Sequence, residues 1–564
     1  MLTRWGRGLD PDHPLPEYPR PQLIRPDETW ANLNGRWEYA FGSEQRPEAW
    51  DGEIVVPFSP ETVLSGVGRQ LLPDQWLWYR RTFIVPEAPA AGRVLLHFGA
   101  VDQLCTVWVN GIEVGGHTGG YLPFTLDITD AVVPSTAGGP DHLEVRVRDL
   151  SETGLHARGK QRLDRGTIWY TAQSGIWQTV WVEVVPETSI RALEITPDPE
   201  LAAFDVRVLL SDGTTVDRRV DLAERRLWTL DDPHLHWFDV TVGADTVRAY
   251  GALRTLGIGT DDRGRRRFLL NGEPVWHVGV LDQGYWPDGL LTPPSDEAMV
   301  HDIATMKDLG FTMLRKHVKV EPLRWYHHCD RLGMLVWQDM VNGGGRYRHL
   351  VATLPATRPI RISDRRHPVY FRGDPDARAE FREEVRQTVE LLRNAPSVAV
   401  WTPFNEGWGQ FDANEIAAMV RALDPTRPVN HVSGWVDQGG GDVKSFHSYV
   451  RPFRLPGRLR RRRERRVYAL AEYGGYSLTV AGHDWSTREF GYRHFDTEEE
   501  LAAGFVALHR EQIEPALDDG LAATVYTQLS DVEDELNGLV TWDREVLKVP
   551  ADVVRETLDR LRAR

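Results

Sequence analysis

With 564 residues the chain exceeds what one hydrophobic core serves, so about two to four domains are expected. Its net charge of −16 argues against a nucleic-acid partner, and 41% hydrophobic with 26% charged residues is a soluble, globular balance. Cys105 and Cys329, far apart, exclude a disulfide framework, while the lack of an apolar leader or of any apolar run of about 18 residues predicts a cytoplasmic protein with no membrane partner.

Residues 1–186 read as all-β. Val94-Leu95-Leu96-His97-Phe98 and Cys105-Thr106-Val107-Trp108-Val109 are strand-like, and Asn110-Gly111 supplies a tight hairpin turn. His142 to Arg148 and Val180 to Val184 alternate with period two, so a jelly-roll β-sandwich is expected. Residues 187–258 form a second, smaller β unit, an immunoglobulin-like sandwich with Asp212-Gly213 as a turn. From 259 to 564 strands and helices alternate. Ser295 caps a helix with Met299, Ile303, Met306 and Leu309 on one face, ended by Gly310; strands follow near Phe311 and Met334. No Gly-rich phosphate loop follows any strand, which favours a (β/α)8 TIM barrel over a doubly wound sheet. The basic run 458–466 reads as a solvated loop. Among the 21 tryptophans, those not needed in sandwich cores suit the C–H faces of a sugar.

Chemistry collects where barrel strands end. Ser397-Val398-Ala399-Val400 runs as a buried strand into Trp401-Thr402-Pro403-Phe404-Asn405-Glu406-Gly407-Trp408, which sets a carboxylate beside an amide and aromatic rings. The other ends give Asp282, Arg315 and His317, Trp337 and Asp339, Trp435, His447 and Tyr449, Glu472 and Tyr473, and Gln528; Trp542 lies further on. Glu406 and Glu472, on different strand ends, can face each other across one pocket. A gap of ~5–5.5 Å would make one a nucleophile and the other an acid/base with retention, whereas ~6.5–9.5 Å would mean inversion. His327 and His328 lie inside a predicted helix and read as structural. His317 and Asp339 lack the spacing of a metal motif, so no metal or cofactor is expected.

The sequence resembles glycoside hydrolase family 2 over nearly its whole length. Tyr18-Pro19-Arg20-Pro21-Gln22, Leu33-Asn34-Gly35-Arg36-Trp37, Trp78-Tyr79-Arg80-Arg81 and Gly119-Gly120-Tyr121-Leu122-Pro123-Phe124 are similar to that family's sugar-binding jelly roll. Leu253-Arg254-Thr255 with Phe268-Leu269-Leu270-Asn271-Gly272 resembles its passage into the barrel. The resemblance implies a retaining exo-β-glycosidase, with Glu406 as acid/base, Glu472 as nucleophile and Asn405 on the sugar 2-hydroxyl. Where many members carry Arg-x-x-His-Tyr-Pro, this chain has Arg315-Lys316-His317-Val318-Lys319. It also has no Asn-x-Lys tripeptide, the uronate grip of some members, so β-glucuronide ranks last among expected substrates unless Lys316 serves instead. The resemblance ends with the barrel, so the metal requirement of the large β-galactosidases is not carried over.

The expectation is therefore a glycoside hydrolase of β-galactosidase type acting on a carbohydrate, with α-L-arabinoside, β-mannoside and β-glucoside as alternatives. A non-catalytic carbohydrate-binding relative is the competing class, but it would not need both glutamates. Oligomeric state is not legible.

Overall fold

The computed structural model describes every residue except 88–91, 134–138, 348–361, 458–463, 486–487 and 564. Most of the basic run 458–466 therefore lies outside the described residues; Arg466, at its end, pairs with Asp437 at 2.7 Å and Glu464 at 2.9 Å.

The first domain is a sandwich of two antiparallel sheets. One has four strands, ordered Trp30–Asn32, Val180–Pro186, Gly92–Phe98, Phe124–Asp127. The other has six and includes Gly35–Gly42, Trp76–Phe83, Asp141–Arg148 and Leu104–Val109. Inward residues such as Trp37, Leu77, Leu96, Val107 and Val145 form one buried core between them. Asn110 and Gly111 both take positive φ, 51° and 81°, the turn expected between Leu104–Val109 and Ile112–Thr118. Both cysteines are buried free thiols.

The second unit pairs Ile190–Pro197, Ala203–Leu210 and Thr215–Asp221 in one sheet, and His236–Val242 with Asp245–Gly251 in another. Phe204, Val206, Val240 and Val247 share its core. A three-stranded sheet beginning at Leu256–Thr260 then leads into the barrel, where its Phe268 stacks on His277 with centroids 4.3 Å apart.

Seven barrel strands form one parallel sheet. Taken by chain position they are His277–Asp282, Met313–Lys316, Leu335–Asp339, Val398–Thr402, Val443–Ser448, Val467–Gly474 and Leu521–Thr527. In space the order is fourth, third, second, first, seventh, sixth, fifth of these. The gap between Val398–Thr402 and Val443–Ser448 is filled by residues 429–433, joined through parallel bridges Trp401↔Val429 and Asn405↔Ser433. Counting that segment, the barrel has its eight staves. The helix expected after Ser295 forms as Asp296–Asp308, with Ser295 accepting from the Ala298 N–H and Gly310 at φ 98° just beyond the end. Inside the barrel, Leu281, Met313, Trp337, Ala469, Ala471, Ala523 and Val525 make an apolar floor with Phe268. No described helix is long and apolar enough to cross a membrane.

Candidate active site

Alternate residues of a strand point to opposite faces, so a regular barrel strand sends every second side chain into the lumen; on Val467–Gly474 a register shift between Leu470 and Tyr473 breaks that alternation. Above the apolar floor the inward set turns polar. Arg315, completely buried, is its hub. It donates from Nε and Nη2 to the two oxygens of Asp339 at 3.1 and 2.9 Å, from Nη1 to Glu472 Oε1 at 2.9 Å, and from Nη2 to Asn405 Oδ1 at 2.7 Å. Its Nη1 also reaches the Ala471 carbonyl at 3.1 Å. One planar guanidinium thus fixes groups from two other strands and the loop after a third, a task suited to its rigid fork of donors.

Glu406 leaves its strand with φ 50°, and its N–H donates to the Ser433 carbonyl at 2.9 Å, which turns the carboxyl over the lumen. His447 bridges the two glutamates, its Nδ1 lying 2.7 Å from Glu406 Oε1 and 3.3 Å from Glu472 Oε2, while its Nε2 meets Ser433 Oγ at 2.8 Å. The facing oxygens of Glu406 and Glu472 and His447 Nδ1 all lie within 4.8 Å of one another. Tyr449 donates to Glu472 Oε2 at 2.5 Å and stacks on Tyr492. Burial, and then the charge of Glu472, push the Glu406 carboxyl above its usual range. Burial works in the same direction on Glu472, but the opposing charges of His447 and Arg315 outweigh it and hold that carboxyl low. Two like groups are thereby driven apart, one toward an acid and one toward a permanent anion. Burial also pulls His317 down to about 4, so a neutral ring at pH 7 donates from Nδ1 to Asp339 Oδ2 at 2.8 Å.

The barrel does not wall this pocket alone. Residues 150–176 of the jelly roll cross its mouth. Ala157 bridges Gly343, the Arg158 and Gly159 N–H groups donate to the Asn342 carbonyl, Arg165 pairs with Asp534 at 3.2 Å, and the Tyr170 hydroxyl bonds Glu535. Trp169 packs on Trp408 with centroids 5.1 Å apart, and Trp408 meets His317 edge-on at 6.2 Å.

A match to the description "Glycosyl hydrolases family 2, TIM barrel domain" spans residues 266–545, and one to "Glycosyl hydrolase 2 galactose-binding domain-like" spans residues 68–177. The chain belongs to glycoside hydrolase family 2. Among curated relatives, a β-galactosidase of Thermoanaerobacter pseudethanolicus is 22% identical, the match covering 72% of this chain and 55% of that one. A β-glucuronidase of Streptococcus agalactiae is 23% identical, with 73% of each chain covered. This chain spans about half the length of the β-galactosidases it matches first. Of solved structures, a β-D-glucuronidase of Dictyoglomus thermophilum superposes with TM-score 0.73 at 17% identity over 96% of this chain and 98% of that one. A family 2 β-galacturonidase of Eisenbergiella tayi bound to galacturonate gives 0.69 at 18% over 95% and 99%. These likenesses carry the fold.

Within the family 2 scaffold, hydrogen bonds unite Glu406, Glu472, Asn405, Arg315, His317, Asp339, His447 and Tyr449. Trp408 and Trp435 join by their rings, the latter 5.3 Å from His447. Gln528 is reached through Thr527, whose hydroxyl lies 3.1 Å from Tyr449 Oη, and Gln528 itself accepts from Gln283 at 2.6 Å. Trp542 is buried beside Arg544, and among the described residues no bond or ring contact ties it to the glutamates.

Three expected site residues lie elsewhere. Asp282 follows inward Leu281 and so faces out of the lumen, where it takes the Lys316 ammonium at 2.6 Å. Tyr473, next to inward Glu472, points into the helix layer and meets His509 Nε2 at 2.8 Å. Trp337 does point inward, but downward, donating to His277 Nδ1 at 2.9 Å as part of the apolar floor. Lys316 is likewise turned outward and held by Asp282 and Glu321, which leaves it no route to a sugar. Missed altogether were Lys160, Trp169 and Tyr492. The first two sit in a long aperiodic stretch dense in Arg, Lys, Trp and Tyr, a recognisable sign of a working loop.

Proposed function

We propose that this chain is a retaining exo-β-glycosidase. The observation that carries the reading is the pair of carboxyl oxygens within 4.8 Å, on the near side of the ~5–5.5 Å of retaining pairs and well short of the ~6.5–9.5 Å that admits a water. Glu472, held anionic by Arg315 and Tyr449, attacks C1. Glu406 delivers its proton to the leaving glycosidic oxygen, and a covalent glycosyl ester on Glu472 forms. Glu406, now anionic, takes a proton from water as that water attacks C1, and the ester bond to Glu472 breaks to free the sugar and restore both groups. Asn405 gives its Oδ1 to Arg315, so its amide nitrogen, buried and without a partner among the described residues, is oriented to meet the 2-hydroxyl. Trp408 and Trp435 likewise present buried indole N–H groups.

The relatives' names make a β-D-galactoside the first glycone to test and a β-D-glucuronide the second. The direct test is the anomer first released from 4-nitrophenyl glycosides, followed by proton NMR. β-Sugar appearing before mutarotation is expected; α-sugar first would overturn the double displacement.

A further inference from the structure

The chain contains only six lysines. Five of them end on a carboxylate or a backbone carbonyl. Lys316 and Lys319 share Glu321, Lys444 meets Glu464, Lys548 meets Asp531, and Lys307 meets the Leu230 carbonyl. Lys160 is the exception. It is 5% exposed, yet among the described residues no carboxylate or carbonyl oxygen reaches its ammonium. What flanks it are two rings, Tyr170 at 5.2 Å and Trp408 at 6.0 Å from Nζ to centroid.

A buried ammonium without an anion is costly, and ring faces return only part of that cost. The position is nevertheless built with care. The Lys160 carbonyl accepts from the Tyr170 N–H at 3.0 Å. The next side chain, Gln161, is spent in full on Asp102 at 2.9 Å, Tyr121 at 2.9 Å and the Gln173 N–H at 2.7 Å. The backbone that aims Lys160 is therefore fixed from both sides. Trp408, one of the two rings it approaches, also meets His317 edge-on at 6.2 Å, so the ammonium lies beside the reacting pocket.

We propose that Lys160 reads a carboxylate carried by the sugar ring, so that the preferred glycone is a β-linked hexuronic acid. The proposal rests on the glycosidase reading above. A buried position at the pocket wall suits the glycone, which an exo-acting site encloses, more than an exposed leaving group. A single point charge suits a monoanion, whereas phosphate is usually met by the forked donors of arginine. The ammonium then plays the part that the missing Asn-x-Lys tripeptide would have played, but from the other domain.

The test compares matched pairs of 4-nitrophenyl glycosides, β-D-galacturonide against β-D-galactoside and β-D-glucuronide against β-D-glucoside, with a galactoside 6-phosphate alongside. Wild type should favour a uronide over its neutral partner. Lys160→Met should lower kcat/KM on that uronide about 10- to 100-fold more than on its neutral partner, the range of a charge-assisted hydrogen bond. Lys160→Arg, which keeps the charge, should recover part of the loss, and melting curves of both variants report whether the fold is intact. A wild type that prefers neutral sugars or the 6-phosphate, or a Lys160→Met loss equal on charged and neutral substrates, overturns the role of Lys160 while leaving the glycosidase reading in place. If no glycoside turns over, that reading fails, and titration calorimetry with free galacturonate and glucuronate decides the inference alone. Weaker uronate binding by Lys160→Met than by wild type supports it; equal binding, or none to either, rejects it.

Discussion

Arg315 and Lys316 are neighbours on one strand, both buried, each holding two carboxylates. Arg315 binds Asp339 and Glu472, and Lys316 binds Asp282 and Glu321. The pleat alone sends the first into the lumen and the second under the helix layer, where its ammonium also lies 4.2 Å from the Trp325 ring. Composition and burial do not separate a structural charge cluster from a reactive one. What separates them is the side of the sheet, and with it access to a substrate.

The largest effect falls on the inward cluster. Glu472→Gln should abolish turnover of every glycoside, because no ester can form; residual activity equal to wild type would remove it as nucleophile. Glu406→Gln should cost ~10²–10⁴-fold on alkyl glycosides but much less on nitrophenyl ones, whose leaving groups need little protonation. The basic limb of kcat/KM, set by the raised Glu406 carboxyl, should vanish in that variant. Equal losses on good and poor leaving groups would break the assignment.

Arg315→Lys and Lys316→Met then set the two clusters directly against each other. Arg315→Lys keeps the charge but loses the fork, so kcat should fall steeply with a modest change in melting temperature. Lys316→Met leaves Asp282 and Glu321 without their shared cation and should cost ~3–5 kcal/mol of stability, with kcat per folded molecule near wild type. A reversal of those two outcomes would refute the inside–outside distinction.

Tyr449→Phe and Tyr473→Phe are the gentlest version of the comparison. Each loses one hydroxyl, at a cost of ~0.5–1.5 kcal/mol for the neutral partner and ~1.5–3 for the charged one. Tyr449 donates to Glu472 and helps keep its carboxyl low, so its loss raises that value and the acid limb of the pH profile moves to higher pH. Tyr473→Phe should leave the profile untouched.

The sequence made the change from period-two strands to alternating strands and helices legible, and with it both glutamates, because a carboxylate after a buried β-branched run has few structural uses. Facing was harder. Barrel strands are buried on both sides, so apolar residues line both faces and the usual in–out pattern disappears. Asp282, Trp337 and Tyr473 turn away from the two glutamates for that reason, each one residue or one direction from a side chain that joins them. Lys160 escaped notice for another reason. Residues 150–176 have no period at all, and their place over the barrel depends on bonds to Asn342, Gly343 and Glu535, which lie hundreds of residues away.

The wall that the jelly roll lends to the barrel also divides labour in heredity. The carboxylates proposed to react sit on barrel staves or just beyond them, while Lys160 and Trp169 sit on a cross-piece contributed by another domain. Selectivity can therefore evolve, or be grafted as a cassette, faster than catalysis.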